Sequence, residues 1–266
     1  VSQAQPNAVS SDARFFENLK GFKFPTKRGA TGEDLMIPYT YEFPRPAVTV
    51  DCIVQSFDGS QIWVLLIRRA HDPFAGCWAL PGGFIEMGET LVASARRELF
   101  EETNLCVEEL RQFRTFGDPG RDPRGRTVTI VFFGWVPWEV REPKAADDAR
   151  EAAWLPLTGL PELAFDHAQV LKEFRAFLRQ LASTEPLGKD ALPRTFELPV
   201  LVRFYEAIFG CGRRARQVVR TLRSLGIIRA APGSSKALAR SKQLYRFDLR
   251  KYRQYQIKGF GAVIKP

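Results

Sequence analysis

Three glutamates, Glu98, Glu101 and Glu102, stand at i, i+3 and i+4 in a segment with helical spacing. On a helix of 3.6 residues per turn they fall within an arc of roughly 100°, so their carboxylates share one face. Like charges at these spacings repel, and the arrangement is destabilising unless a cation sits among them. Carboxylate oxygens are hard ligands that suit Mg²⁺ or Mn²⁺, ions that phosphate oxygens of a substrate can also bridge. Arg97 lies one turn before Glu101 and is placed to hold it. Gly82 and Gly83 permit a backbone path that a side chain would obstruct, which would bring a main-chain carbonyl toward the metal. Thr90 is a suitable N-cap for this helix, and Asn104 is a suitable terminator because Asn tolerates the left-handed conformation. The competing reading is a solvated Glu-rich surface.

Two other groups of residues carry charge in a usable pattern. Arg121, Arg124 and Arg126 lie in a Gly/Pro-rich loop, and with Arg45 they are candidate donors to phosphate or ribose. The alternative for each is an ordinary surface arginine. His167 is placed to approach the same substrate, or else to occupy the first turn of a helix capped by Asp166. Further along, Arg213, Arg216, Arg220 and Arg223 fall within an arc of roughly 80° on a second helix, opposite Ala215, Val218, Val219 and Leu222. That is an arginine ridge on a helix packed by its other side, and it is a candidate DNA-binding face. The other reading is a small basic domain used for dimerisation.

The elements that must position these residues are mixed. Residues 47–54, 61–67 and 126–136 are rich in Val, Ile, Thr and Phe, as strands are, while 91–102 and 168–181 repeat at helical spacing. Residues 196–209 and 213–225 form two more helical patterns broken at Gly210-Cys211-Gly212. Ile227-Ile228, a turn at Pro232-Gly233-Ser234-Ser235 and the stretch 243–247 then suggest a hairpin, and the whole reads as a winged helix. Residues 183–193, with Pro, Gly and polar side chains, are expected to link two domains. The charge supports this division. From Asp190 onward there are 17 Lys+Arg against 4 Asp+Glu, or +13, whereas the preceding chain carries −4 of the total +9. The expected organisation is an N-terminal extension (1–42), an α/β domain (43–182), a linker (183–193) and a winged helix (194–266). Phe15, Phe16, Phe22 and Phe24 of the extension need a surface to pack on, either this domain or a partner subunit.

In a chain of 266 residues, 45% hydrophobic and 26% charged, a real core can form and wholesale disorder is excluded. No apolar run approaches the roughly 20 residues that span a bilayer, so a soluble protein without membrane association is expected. Residues 1–11 are polar and show no secretory signal pattern. Cys52, Cys77, Cys106 and Cys211 are widely spaced with no CxxC pair, which fits a reducing cytoplasm rather than a disulfide or zinc scaffold.

Gly83, Glu89, Arg97, Glu98, Leu99, Glu101, Glu102 and Leu105 match the Nudix box, Gx5Ex7REUxEExGU, and depart from it only at Asn104, where the pattern has Gly. About residues 43–182 therefore resemble a Nudix hydrolase. The resemblance implies an α/β/α sandwich with a mixed sheet, and Mg²⁺-dependent attack of water on a diphosphate that joins a nucleoside to another group. It implies that Glu98, Glu101, Glu102 and the Gly83 carbonyl bind metal, with one of the glutamates a candidate base and Glu89 and Arg97 as orienting partners. Residues 41–51 and 116–126 look like those of ADP-ribose-handling members. The stretches at 196–199, 204–208 and 243–247 resemble the C-terminal domain of NrtR-type regulators of NAD metabolism, in which a winged helix binds double-stranded DNA under the control of ADP-ribose or related ligands. The expected function is hydrolysis of ADP-ribose to AMP and ribose 5-phosphate by a homodimer. The alternative is an ADP-ribose-sensing transcriptional regulator with little activity.

Overall fold

The computed structural model describes residues 42–140, 149–232 and 243–260. The expected extension, apart from its last residue, lies outside the described residues, as do Gly233, Ser234 and Ser235 of the expected turn.

The first half is built on one mixed sheet. Its backbone is β1 (Ala47–Phe57), a run of alternating side chains buried on both faces, which is how a central strand reads. β2 (Ile62–Arg69) returns antiparallel to β1, and the short β3 (Trp78–Ala79) follows it on the outside. β4 (Gly82–Phe84) pairs antiparallel with β1 and places Gly82 opposite Asp51 and Gly83 opposite Val50. Helix α1 (Leu91–Thr103) comes next, then β5 (Arg111–Phe116) and β6 (Thr127–Trp135), which runs parallel to β1 over nine residue pairs. β7 (Ala149–Pro156) pairs with β2, and α2 (His167–Thr184) closes this half.

Alternation along the strands sorts the core into two layers. Val50, Cys52, Val54, Leu65, Ile130 and Phe132 meet Ala95 and Leu99 of α1. Ile53, Phe57, Val64, Leu66, Val131 and Phe133 face the other way, onto Val170, Leu171, Phe174 and Leu178 of α2. The result is the expected sandwich of helix, sheet and helix. Each of these fully buried aliphatic or aromatic side chains contributes about 1.5–3 kcal/mol relative to exposure.

The C-terminal part is a helical hairpin with a small sheet. α3 (Leu198–Phe209) and α4 (Gly212–Ser224) are joined at Gly210, whose φ of 67° ends α3 in the left-handed conformation that glycine adopts without strain. β8 (Phe196–Glu197), β9 (Ile228–Ala230) and β10 (Leu244–Phe247) form a sheet in the order β8-β10-β9, and α5 (Leu249–Lys258) follows. Two helices with a β9-β10 hairpin are the winged-helix arrangement that the sequence suggests.

Residues from Arg45 onward belong to one compact unit, and the stretch expected to act as a linker is packed into it. Leu187, Ala191 and Leu192 are buried in the same hydrophobic cluster as Phe174 and Phe204. The Tyr205 hydroxyl donates to the Leu187 carbonyl at 3.2 Å and accepts from the Leu187 N–H at 2.9 Å. Pro, Gly and polar residues mark this stretch as irregular backbone, but its three apolar side chains anchor it. Among the described residues no helix is long and apolar enough to cross a membrane.

Candidate functional site

The carboxylate helix is α1, and its ends form as its sequence dictates. Thr90 Oγ1 accepts from the Ala93 N–H at 3.3 Å, and Asn104, at φ 56° and ψ 22°, terminates the helix in the left-handed conformation with its N–H on Phe100 O. Asn104 thus does locally what glycine does in the usual pattern.

Arg97 organises the site. Its side chain is 2% exposed, and every guanidinium nitrogen is bonded. Nε and Nη2 donate to the two Glu89 oxygens at 2.9 and 3.1 Å, Nη1 donates to Glu98 at 2.7 Å and Glu101 at 3.0 Å, and Nη2 also reaches Phe84 O at 3.1 Å. Burial opposes the guanidinium charge, but the carboxylates of Glu89 and Glu98 outweigh it and hold Arg97 firmly protonated. Glu89 is further fixed by a 2.7 Å bond from Ser94 Oγ, and its carboxyl lies below the usual range because these donors overcome its burial.

Glu102 has a different environment. It is 8% exposed and accepts from the Gly82 N–H at 2.8 Å, which ties α1 to β4. Burial pushes its carboxyl well above the usual range, against the pull of that N–H, and the charges of Glu98 and Asp51 push the same way. Glu98 itself lies against Gly83. A Cβ added at Gly83 would come within 2.5 Å of the Glu98 carboxylate, so only glycine leaves this space open. The structure therefore brings Glu98, Glu102 and the Gly82-Gly83 backbone together. Glu101 is drawn to Arg97 and is the more exposed of the three glutamates. Among the described residues no three His, Cys, Asp or Glu side chains already converge as a closed metal-binding cluster.

A buried polar layer lies beside these residues. Asp51, the lone acid in the apolar β1, accepts from Thr129 Oγ1 at 2.6 Å, with Arg121 Nη2 and His167 Nε2 each 3.7 Å away. His167 Nδ1 accepts from the Leu80 N–H at 2.9 Å, so its proton is on Nε2. Burial lowers the pKa of this ring in spite of Asp51 and Asp166, which keeps it neutral. His167 thereby fixes the backbone leading into Pro81-Gly82-Gly83. Asp166 was expected to cap α2 but makes no side-chain cap bond. Its carboxylate instead receives both Nε and Nη2 of Arg121, at 2.9 and 2.7 Å, because a bidentate pair with a buried guanidinium is stronger than a single cap bond.

The four candidate substrate arginines have unlike placements. Arg121 is buried in its pair with Asp166. Arg124 is bound bidentately by Asp122 and remains partly exposed, with its guanidinium against the rings of Phe84 and Phe165. Arg126 is exposed and donates to the Gly117 carbonyl, and Arg45 lies exposed just before β1. Sequence reasoning did not single out Asp51, Phe84 or Phe165 here. For Asp51 a signal existed, an acid inside an otherwise apolar strand.

At the other end of the chain, Arg213, Arg216, Arg220 and Arg223 are all exposed on α4, whose opposite face buries Ala215, Val218, Val219 and Leu222. With Leu198, Val202 and Val219 they line an open groove between α3 and α4. Arg216 is 3.7 Å from Glu206, and the Arg223 guanidinium lies 5.7 Å from the Tyr245 ring centre. Arg214, by contrast, turns inward to Ser183 Oγ and the Phe209 ring. Four guanidiniums in a row on one exposed helix face can take successive phosphate oxygens.

Comparison with known proteins places both halves. The NUDIX domain model matches residues 45–174. The ADPR responsive transcriptional repressor NtrR of Acinetobacter baylyi is 33% identical over 215 residues, 79% of this chain and 86% of that protein. The ADP-ribose pyrophosphatase of Methanocaldococcus jannaschii is 44% identical over 129 residues, 48% of this chain and 73% of its own length. Among solved structures, Shewanella oneidensis NrtR superposes with a TM-score of 0.65 at 28% identity, over 77% of this chain and 96% of that one. The same protein complexed with a 27mer DNA gives 0.64 at 27% identity, over 77% and 95%. The domain match contains the whole carboxylate helix, the NtrR relative is matched over most of both chains, and the chain belongs to the Nudix family.

Proposed function

We propose that this protein is a Nudix hydrolase that cleaves the diphosphate of ADP-ribose to give AMP and ribose 5-phosphate. One observation carries the reading. Arg97 spends its whole guanidinium on Glu89, Glu98, Glu101 and the Phe84 carbonyl, leaving Glu102 in a separate buried pocket beside Glu98. A protein that only had to bind nucleotide has no need of a buried carboxylate, Glu102, whose charging is opposed by its burial and by the neighbouring Glu98 carboxylate.

The residues present fit a divalent cation. Glu98 and Glu102 offer hard oxygen donors in mutual repulsion, and the space at Gly83 that a Cβ would fill brings main chain against the Glu98 carboxylate. Glu98 and Glu102 would hold Mg²⁺, with Glu101 and the Gly83 carbonyl beside them. When bound, the ion neutralises charge on the diphosphate and acidifies a water. The protein's own part is placement. Arg97 orients Glu98 and Glu101, Gly82 N–H orients Glu102, and His167 on the Leu80 N–H holds the strand that carries both glycines. The relative from M. jannaschii, named an ADP-ribose pyrophosphatase, supports the choice of substrate.

Glu102→Gln tests this. Its amide oxygen still accepts the Gly82 N–H, so the fold is kept while the charge is removed. We expect AMP release from ADP-ribose with Mg²⁺ to fall to background while calorimetric binding of ADP-ribose largely persists. Unchanged turnover would refute the role of Glu102.

A second reading rests on the arginine row of α4. The NtrR relative, an ADPR responsive repressor, aligns over most of the chain, and NrtR was crystallised with DNA. We infer that the C-terminal module binds double-stranded DNA through Arg213, Arg216, Arg220 and Arg223, and that ADP-ribose in the Nudix domain controls it. Hydrolysis and regulation are compatible, because turnover would erase the signal that binding sets.

A further inference from the structure

Of the four arginines that the sequence offers to a substrate, Arg121 is the one whose guanidinium is buried, its side chain being 5% exposed. Nε and Nη2 donate to the two oxygens of Asp166 at 2.9 and 2.7 Å, and Nη2 stands 3.7 Å from Asp51. The loop that carries it, between β5 and β6, is held by its own side chains. Asp122 accepts from the Arg124 N–H at 2.9 Å and from Arg124 Nη2 at 2.8 Å. Asp51 is fixed from the same quarter, by Thr129 on β6, the strand into which the loop leads.

Asp166 opens α2, and the residues just before it form a strap along β3. Leu163 bridges to Trp78 in parallel register, and the Ala164 N–H donates to Trp78 O at 2.8 Å. The chain then turns away at Phe165, whose φ of 54° is a conformation that bulky residues rarely adopt. Two residues beyond Trp78, the Leu80 N–H is taken by the His167 ring at 2.9 Å. The Cys52 N–H on Pro81 O and the Gly82 N–H on Glu102, both 2.8 Å, tie the same segment to β1 and α1. The Leu80 bond ties it to α2. Two unfavourable features therefore flank the carboxylate that Arg121 grips: strained backbone at Phe165, and a helix start at which Asp166 makes no side-chain cap bond. Strain of this kind persists where the surroundings enforce it, and it concentrates at functional sites. A bidentate pair with a buried guanidinium is strong enough to enforce it here.

We propose that Arg121 is a positioning residue for diphosphate cleavage. By gripping Asp166 it sets the first turn of α2, which seats the His167 ring on the Leu80 N–H and so places Gly82 and Gly83 against Glu102 and Glu98. The inference rests on the diphosphatase reading. It gives the loop between β5 and β6 the task of aligning the metal-binding strand, and it removes Arg121 from the substrate donors.

The test uses the full chain as parent, Arg121→Lys, Asp166→Asn and the double variant. Lysine keeps the charge but lacks the fork, and asparagine keeps one acceptor, so both changes are mild at a site where a truncation would leave a charge unpaired. Steady-state rates on ADP-ribose with Mg²⁺ are measured beside amide hydrogen exchange of the metal-free proteins. We expect kcat of Arg121→Lys to fall by about 10- to 100-fold, the usual effect of a lost supporting contact, with KM little changed. Asp166→Asn should show the same pattern, and the double variant should be no worse than the worse single one, because both act through one contact. Without metal, exchange at the Leu80 and Gly82 amides should quicken by about tenfold, the scale of one weakened hydrogen bond, while the amides between β1 and β6 keep parent rates. A rise in KM with kcat retained would make Arg121 a substrate donor and overturn the assignment. Unchanged kcat overturns it too, as does exchange that is unchanged at Leu80 or quickened throughout the sheet. A parent without turnover would sink the diphosphatase reading instead, and the exchange pattern would still decide whether Arg121 places the strand.

Discussion

At the scale of single residues, the two adjacent glycines of β4 have different tasks, and substitution separates them. A Cβ at Gly82 would lie 2.1 Å from the Val50 carbonyl and 2.8 Å from Asp51 Cα, which are backbone atoms of the central strand and cannot yield. Gly82→Ala should therefore destabilise the fold by about 3 kcal/mol, the cost of forcing the β1-β4 pair apart. A Cβ at Gly83 meets only the end of the Glu98 side chain, which can swing away. Gly83→Ala should melt within a few degrees of the parent yet lose most ADP-ribose turnover, because Glu98 no longer sits where Arg97 places it. Urea denaturation and initial rates on the two variants check this, and equal loss of stability in both would refute it. Part of this was legible beforehand. The spacing of Glu89, Arg97, Glu98, Glu101 and Glu102 marks the site, and two adjacent glycines mark a close approach. The sequence does not show that Arg97 holds three glutamates rather than one, nor that Asp51, Thr129 and His167 meet. The Thr129–Asp51 bond joins residues 78 positions apart and the Leu80–His167 bond that places the ring joins residues 87 apart, and no local pattern encodes either.

At the scale of elements, legibility followed length and periodicity. α1, α2, α3 and α4 each repeat an apolar stripe over three or more turns, and each appears within three residues of its expected bounds. β3, β4, β8 and β9 are two or three residues long, too short for any alternation, and they exist because a neighbouring strand offers hydrogen bonds. α5 reads as polar all round, with Tyr252 as its one buried residue, so periodicity could not announce it. α4 is where sequence and structure agree most usefully, since the four arginines on one arc are the four exposed ones. If these side chains contact DNA phosphates, each contact contributes about 0.9 to the slope of log affinity against log salt. Arg216→Ala with Arg220→Ala should weaken DNA binding and lower that slope by about 1.8. Arg214→Ala should leave the slope unchanged, because Arg214 faces Ser183 and Phe209. Fluorescence anisotropy across a salt series measures all three proteins, and a slope that falls only for Arg214→Ala would place the contact surface elsewhere.

At the scale of the whole molecule, the charge division suggests two bodies, but the hydrophobic side chains build one. Phe204 of α3 sits with its ring centre 5.4 Å from that of Phe57 and 5.3 Å from that of Trp135, so a helix of the C-terminal module completes the core of the Nudix sheet. Arg203 of the same helix donates to Gly59 O at 2.7 Å in the β1-β2 turn. The seam is not wholly apolar. The Gln55 amide and the Trp135 indole N–H are buried on that face of the sheet without partners, which costs stability that the surrounding aromatic contacts offset. A shared core of this kind implies cooperative unfolding of both halves. All five tryptophans lie before residue 155, so their fluorescence follows the sheet, whereas the far-ultraviolet circular dichroism includes the C-terminal helices. The two signals should change together in urea. Phe204→Ala removes a fully buried ring and should cost about 3–5 kcal/mol, moving both transitions equally. Fluorescence that holds its midpoint while the helical signal shifts would mean that the modules fold independently. In the coincident case, the contact of Phe204 with β1 and β6 is the physical link through which ligand at Glu98 and Glu102 and phosphate at Arg216 and Arg220 would influence each other.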